Sequence, residues 1–149
     1  MSNSFEFDYF IKFSQNLLEN KELLSNNKFQ CVYRTIINRV YYAAFHHTKY
    51  WLELNYNFKT QEFNYTTGKI QNRDGLSEHI QVFKELRIIA KEQKKLKNHF
   101  RSASAKLESL FDKRVDADYK ENVSFKEIEV SDAIQDAMFI INLLPFTLQ

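Results

Sequence analysis

The longest regular pattern of apolar and polar positions lies between Lys28 and Asn55, a stretch without glycine or proline. Placed on an α-helix, its apolar residues cover more than half of the circumference, which is typical of a helix buried in a core. The remaining strip carries Thr35, Asn38, Arg39, Tyr42, His46 and Lys49. Arg39, Tyr42 and His46 are spaced three and then four apart, so their side chains can form a row. We therefore predict a central helix of a bundle, with a polar and aromatic seam on its back.

Four further stretches have apolar residues at helical spacing, near residues 5–24, 76–91, 96–117 and 130–144. Between them, residues 56–75 hold both glycines and no sustained period, which indicates a loop of about twenty residues. Loops of that length are functional or mobile, and a tolerated surface insertion is the alternative. The pattern predicts one all-α domain over residues 1–149: a bundle of about five helices around a long central second helix, with no strand.

Composition narrows the class of protein. The 149 residues suit one domain, and two glycines with one proline leave few turns. A single cysteine, Cys31, excludes an intramolecular disulfide and a cysteine zinc site, and favours a reducing, cytoplasmic setting. No run approaches ~18 consecutive apolar residues, and the first residues lack the pattern of a signal peptide, so we expect no membrane association. The sequence has no Glu-x-x-His pair of the kind that binds a di-iron centre, and no glycine-rich phosphate-binding loop. We therefore expect neither a bound metal nor a cofactor.

The formal net charge of +2 is too small to indicate nucleic-acid binding by itself. One local concentration of positive charge stands out: residues 91–101 carry five basic residues against one glutamate. Such a segment can follow a phosphate backbone, or it can be a solvated helix end. Both interpretations stay open.

Two charged residues fall where apolar ones are expected. On the helical wheel of 96–117 and its continuation, Arg114 and Asp118 lie on the apolar face. A charge aimed at a core must be paired or it costs several kcal/mol, and a spacing of four allows the two to pair. Because basic-then-acidic is the weaker order for helix stability, local stabilisation explains the placement poorly. Either the helix ends there and the pair caps it, or the pair faces a cleft.

Three segments resemble one family. The run Asn-Arg-Val-Tyr-Tyr-Ala-Ala-Phe-His at 38–46 resembles the second helix of the HEPN domain (higher eukaryotes and prokaryotes nucleotide-binding). Ser-Glu-His at 77–79 is similar to the start of the third helix in that family. Residues 110–119 resemble the Leu-Tyr-x-x-Arg-x-x-Ala-Asp-Tyr end of the fourth helix in a small prokaryotic subfamily. With the helix spacing, the resemblance covers about Phe5 to Leu144.

Many HEPN proteins are metal-independent ribonucleases, in which an arginine is followed after four to six residues by a histidine. By resemblance, the arginine would bind phosphate and the histidine would act in acid–base transfer or orient the 2′-hydroxyl. Arg114 matches the arginine, but Tyr119 stands where the histidine is expected. A tyrosine, with a pKa near 10, is a poor general base at pH 7, which argues against ribonuclease activity.

The candidate catalytic residues are therefore Arg114, Asp118 and Tyr119. Arg39 and His46 also satisfy the arginine–histidine spacing, but within the central helix, where a loose two-residue match arises easily by chance. The candidate ligand-binding residues are Arg39, Tyr42, His79 and Arg114. The alternative for His79 is a surface histidine at a helix terminus. A site shared by the seam and Arg114 requires the second and fourth helices to pack together.

By resemblance, we expect a small cytoplasmic protein that binds or acts on RNA or a nucleotide. The resemblance also implies a two-fold homodimer and pairing with a minimal nucleotidyltransferase in a toxin–antitoxin or defence system. A different class stays open: a non-catalytic helical module that dimerises or docks a partner. The absent histidine favours that module, whereas the group Arg114, Asp118 and Tyr119 favours a retained polar site.

Overall fold

The computed structural model describes residues 7–26, 28–60, 63–64, 69–70 and 77–145. Its elements are α1 Asp8–Glu19, α2 Lys21–Ser25, α3 Phe29–Tyr56, β1 Phe63–Asn64, β2 Lys69–Ile70, α4 Glu78–Glu92, α5 Lys97–Tyr119 and α6 Glu127–Leu143. The predicted all-α bundle is confirmed, and its centre is α3, which packs against all five of the other helices. Helix α3 is the predicted central helix, and α5 is the one that carries Arg114.

The first predicted helix is divided in two. α1 ends at Glu19, and α2 begins after Asn20, whose side-chain Nδ2 donates to the Asn16 carbonyl at 2.8 Å. Asparagine side chains compete with the backbone for such carbonyls, which is why they interrupt helices. Asn26 then ends α2 in the left-handed conformation, with φ 47°. The prediction of one continuous helix over 5–24 is wrong, and its first two residues lie outside the described part.

The predicted absence of strands is also wrong, at one place. α3 ends at Asn57, which takes the left-handed conformation with φ 50°, a geometry that asparagine tolerates better than most residues. Beyond it, β1 and β2 form a two-residue antiparallel ladder, with Phe63 opposite Ile70 and Asn64 opposite Lys69. Strands so short leave no alternation that a sequence pattern can reveal. The rest of the predicted loop, 61–62, 65–68 and 71–76, lies outside the described residues.

Helix α5 extends beyond its predicted end, and this decides between the two interpretations of Arg114 and Asp118. It runs to Tyr119, so Asp118 lies inside the helix rather than in a cap. The interpretation that the helix ends before the charged pair is therefore wrong. α6 begins at Glu127, where the Glu129 carboxylate accepts a hydrogen bond from the Lys126 backbone N–H at 2.7 Å.

The core lies around α3, as its pattern predicted. The largest fully buried side chains on α3 are Ile36, Ile37, Val40, Tyr41, Phe45 and Leu52. α5 and α6 cover them with small and branched residues at helical spacing, among them Ala103, Leu107, Leu110, Ala133, Ala137 and Ile140. On the opposite side of α3, Thr35, Arg39 and His46 are exposed, which confirms the seam. No described helix combines the length and apolar character that crossing a bilayer needs.

The side chain of Arg34 joins the end of α5 to α3, a contact that the apolar pattern did not predict. The Arg34 guanidinium donates to the carbonyls of Ala117 at 2.7 Å, Lys120 at 2.9 Å and Val123 at 2.5 Å, and more weakly to that of Asp116 at 3.4 Å. The last carbonyls of a helix lack hydrogen-bond partners within the helix and carry partial negative charge. A guanidinium group donates hydrogen bonds to these carbonyls and balances their charge. Arg34 thereby holds in place the end of α5 that carries the candidate site.

We expect Arg34→Ala to lower the free energy of unfolding by about 2–4 kcal/mol, because several charge-assisted bonds to carbonyls at the end of α5 are lost together. Urea denaturation followed by circular dichroism measures this. The matched control is Arg87→Ala, since the Arg87–Glu108 pair lies on the surface and should contribute under about 1 kcal/mol. Equal losses in the two variants would show that Arg34 does not secure the end of α5.

Candidate functional site

The seam of α3 forms one wall of a groove, and α1 forms the other. The groove has a volume of about 310 Å³ and is lined by Phe7, Phe10, Asn38, Arg39, Tyr42, Ala43 and His46. The structure therefore brings together three predicted residues, Arg39, Tyr42 and His46. The ring of His46 stacks on that of Tyr42, with centroids 5.8 Å apart and planes inclined by 22°. Sequence reasoning missed the wall from α1, because no spacing rule connects Phe7 and Phe10 with residues of α3.

Arg114 lies behind Tyr42, on the inner side of α5. Arg114 is 7% exposed, which confirms the prediction that it lies on the apolar face of its helix. The guanidinium carbon lies 5.0 Å from the ring centroid of Phe111, 5.5 Å from that of Tyr41 and 5.6 Å from that of Tyr42. The negative faces of aromatic rings attract a cation, and they partly replace the water that Arg114 has lost. α3 and α5 pack together, so Arg114 contacts the seam through the ring of Tyr42.

The hydrogen bonding of this buried guanidinium is incomplete. Among the described residues its one acceptor is Asp118, which Nη1 approaches at 3.5 Å, and its Nε is buried without a partner. Buried polar groups are normally hydrogen-bonded, and a buried charge with few acceptors is costly. Arg114 Nε is therefore a buried donor that no described residue satisfies.

Asp118 connects Arg114 to the groove. Its side chain is 28% exposed, and its two carboxylate oxygens accept from Asn38 Nδ2 at 3.2 and 3.1 Å. Asn38 belongs to α3 and lines the groove. The predicted pair Arg114–Asp118 is thus one link in a polar path from the inside of α5 to the groove wall.

His79 lies at a helix terminus, as its alternative interpretation has it, but it is half-buried rather than fully exposed. Ser77 caps α4 by accepting from the Ile80 N–H, and this places His79 in the first turn, with its ring 4.5 Å from that of Phe45 and 5.1 Å from that of Phe111. Its Nδ1 shares a hydrogen bond with the Tyr41 hydroxyl. Burial and then the charge of Arg114 lower the pKa of His79, so the neutral imidazole is favoured.

Two further groups at the site have shifted pKa values. Burial raises the pKa of Tyr41 strongly, so its hydroxyl keeps its proton. Although His46 is exposed at one side, its ring packs on Tyr42 and Phe45, and this partial desolvation and then the charge of Lys49 lower its pKa, so the neutral imidazole is favoured. His46 and His79 both pack against the rings of Tyr42 and Phe45. Two imidazoles that favour the neutral form thus pack against these two rings.

Two sequence candidates do not join this site. Tyr119 is 73% exposed on the last turn of α5 and lines neither the groove nor the rings around Arg114 in the described part of the chain. The basic segment 91–101 lies at the turn between α4 and α5, with its basic side chains exposed. It is about 20 Å from Arg114 along α5, at 1.5 Å of rise per residue.

The described side chains are not placed so that they could hold a metal ion. Within the described ranges, no three or more His, Cys, Asp or Glu side chains are grouped so that they could hold a metal ion. What the groove and Arg114 can do is bind an anion through the guanidinium groups and stack a flat ring on Tyr42 and His46.

Comparisons with protein-family models, with curated proteins and with solved structures found no match. The resemblance of three segments to the HEPN domain therefore stays a prediction. Any function has to be argued from the geometry of the groove and of Arg114.

We expect Asp118→Ala to lower the free energy of unfolding by about 1–3 kcal/mol, because it leaves the buried Arg114 without its ion pair. Asp116→Ala is the matched control: this aspartate pairs with Lys120 at the same spacing in the same helix, but the lysine is 57% exposed. That pair should contribute under about 1 kcal/mol. Chemical denaturation of both variants tests this, and losses of equal size would mean that Arg114 finds compensation elsewhere.

Proposed function

We propose that this protein is a HEPN-like helical domain that binds RNA or a nucleotide in the groove between α1 and α3. The observation that carries the proposal is Arg114, a buried guanidinium with one long ion pair and an unpartnered Nε beside the groove. The three resembling segments supply residues to this one place: Asn38, Arg39 and Tyr42 from the first, His79 from the second, and Arg114 and Asp118 from the third.

The charges around the groove favour an anionic ligand. Arg39 is exposed at the groove, and Arg114 lies behind Tyr42. Guanidinium groups present donors in a planar fork that matches the oxygens of a phosphate. Asp118 neutralises only part of this charge, because the two arginines carry two positive charges and the Asp118 carboxylate carries one negative charge.

The rings around the groove favour a ligand with flat, stackable parts. Phe10, Tyr42 and His46 line it, and the inclination of 22° between the last two leaves them nearly parallel. Stacking of a base on an aromatic side chain contributes about 1–3 kcal/mol per base. Phosphate and base together distinguish RNA or a nucleotide from a simple acidic peptide.

Metal-independent RNA cleavage is a second candidate, favoured by the place of His79. The histidine expected after Arg114 in sequence is absent, but His79 comes from α4 to the same Tyr41 and Phe111 rings that hold Arg114. In such a reaction a neutral histidine takes the proton of the 2′-hydroxyl, whose oxygen attacks the phosphorus. Because both imidazoles of the site favour the neutral form, water supplies the proton that the departing 5′-oxygen takes up.

The proposal includes a homodimer, formed by two copies of this chain. α1 and α2 expose large apolar side chains, with Phe13 54% and Leu24 60% exposed. A shallow hollow of about 330 Å³ continues along α3 beside Leu24, lined also by Leu17, Lys28, Cys31, Val32 and Thr35. A two-fold contact uses such a patch twice, and the resemblance supports a dimer. A nucleotidyltransferase-type partner and a cytoplasmic location rest on the resemblance and composition.

The protein should bind a short fluorescent single-stranded RNA in low salt, and Arg114→Gln should weaken binding at least tenfold, because a phosphate contact to a charged donor is lost. Fluorescence anisotropy measures this, with thermal melting to confirm the fold. Arg87→Gln is the control on the surface, and Arg101→Gln reports on the basic segment. Unchanged affinity in Arg114→Gln, or no binding by the parent chain, would reject the proposal.

The same mixtures, incubated in chelator and resolved on a denaturing gel, test cleavage. The second candidate requires cut RNA that His79→Gln abolishes and Tyr119→Phe preserves. Intact RNA beside clear binding would leave the protein a binder and remove cleavage.

The dimer is tested by light scattering coupled to gel filtration at micromolar concentration. Phe13→Asp should convert a dimer to a monomer, because it puts a charge into the apolar contact. Ile128→Asp, at a residue that is 63% exposed on α6, is the matched control and should leave the dimer intact. A parent protein that elutes as a monomer would contradict the assembly.

A further inference from the structure

The side-chain amide of Asn38 has a fixed orientation. An ionised carboxylate only accepts hydrogen bonds, so the amide group that meets both oxygens of Asp118 must be the NH2 group. The carbonyl Oδ1 of Asn38 then points to the other side of the amide. It has no hydrogen-bond partner among the described residues, and Asn38 lines the groove.

The next residue along α3 presents the opposite kind of group. Arg39 lines the same groove, is exposed, and can only donate hydrogen bonds. The side chains that line the groove therefore include an acceptor group, Asn38 Oδ1, and the donors of Arg39. The nearly parallel pair of Tyr42 and His46 lines the same groove.

We propose that the groove binds a keto nucleobase, guanine or uracil, stacked on Tyr42 and His46 and read at its edge by Asn38 and Arg39. Guanine presents the N1–H donor beside the O6 acceptor, and uracil presents N3–H beside O4. Asn38 Oδ1 accepts from that N–H while Arg39 donates to the adjacent oxygen. With the base bound in the same orientation, adenine and cytosine present the reverse order, a ring-nitrogen acceptor beside an amino donor, and both hydrogen bonds are lost.

The size of the groove fits this ligand. Its volume of about 310 Å³ lies at the lower end of the range for small-molecule sites. The assignment rests on the proposed function, in which the ligand is RNA or a nucleotide, and it adds the class of base. Discrimination by one paired donor–acceptor edge is commonly tenfold or more.

This assignment gives Asp118 and Arg114 a positioning role. Arg114 Nη1 pairs with Asp118, and Asp118 holds the Asn38 amide in the orientation that exposes its carbonyl. An asparagine at position 118 could present either an acceptor or a donor. Asn38 would then turn freely, and the preference between bases would fall although the groove stays open.

The experiment compares the four ribonucleoside 5′-monophosphates and ribose 5-phosphate by NMR titration of the full chain. GMP and UMP are expected to bind about tenfold more tightly than AMP and CMP. Asn38→Ala and Asp118→Asn should each reduce that difference to under about threefold. Asn55→Ala, which removes an amide bonded only to its own helix at the Trp51 carbonyl, should keep the full difference.

The outcomes separate this inference from the proposed function. Equal affinities for the four nucleotides and ribose 5-phosphate would overturn the base site and leave phosphate binding standing. A preference for AMP or CMP would overturn the edge assignment. Failure of every ligand to bind would overturn the proposed function and this inference with it. A difference that survives in both Asn38→Ala and Asp118→Asn would show that other residues read the base.

Discussion

Burial of α3 over most of its circumference is the constraint on which the rest of the structure depends. A helix that carries Tyr41, Phe45 and Trp51 among its apolar groups needs cover on several sides, and the other five helices provide it. Each large side chain fully buried contributes about 1.5–3 kcal/mol, so the packing of α3 dominates the stability of the bundle. The one strip left uncovered is the seam, and the groove is where α1 only partly closes over it.

Polar contacts decide how the helices are aligned along one another. Apolar packing alone tolerates small shifts, whereas Arg34 must meet carbonyls at the end of α5 and Asn38 must meet Asp118. Both contacts join the same two helices near the same end. They hold Arg114 beside Tyr42, so the rings and the guanidinium keep a defined geometry at the edge of the groove.

The architecture could be predicted because periodicity records which face of each helix is buried. Arg114 was identifiable for the same reason, since a charge on an apolar face breaks the period. The pairing of Asn38 with Asp118 was not, because the two residues are 80 positions apart and no spacing rule connects them. Arg34 was missed because its partners are backbone carbonyls, which every residue possesses. The break at Asn20 depends on a side chain bonding to its own backbone, a local competition that an apolar pattern does not reveal.

The order of the helices has a consequence for synthesis of the chain. α5 and α6, which cover the apolar surface of α3, are made long after α3 itself. At about 5–20 residues per second, a growing chain leaves that aromatic surface without its main cover for roughly 5–20 s. Transiently exposed apolar surface of this kind promotes aggregation of a chain that is still being made. Because of the same delay, Arg114 and Asp118 reach their places beside α3 only when synthesis is nearly complete.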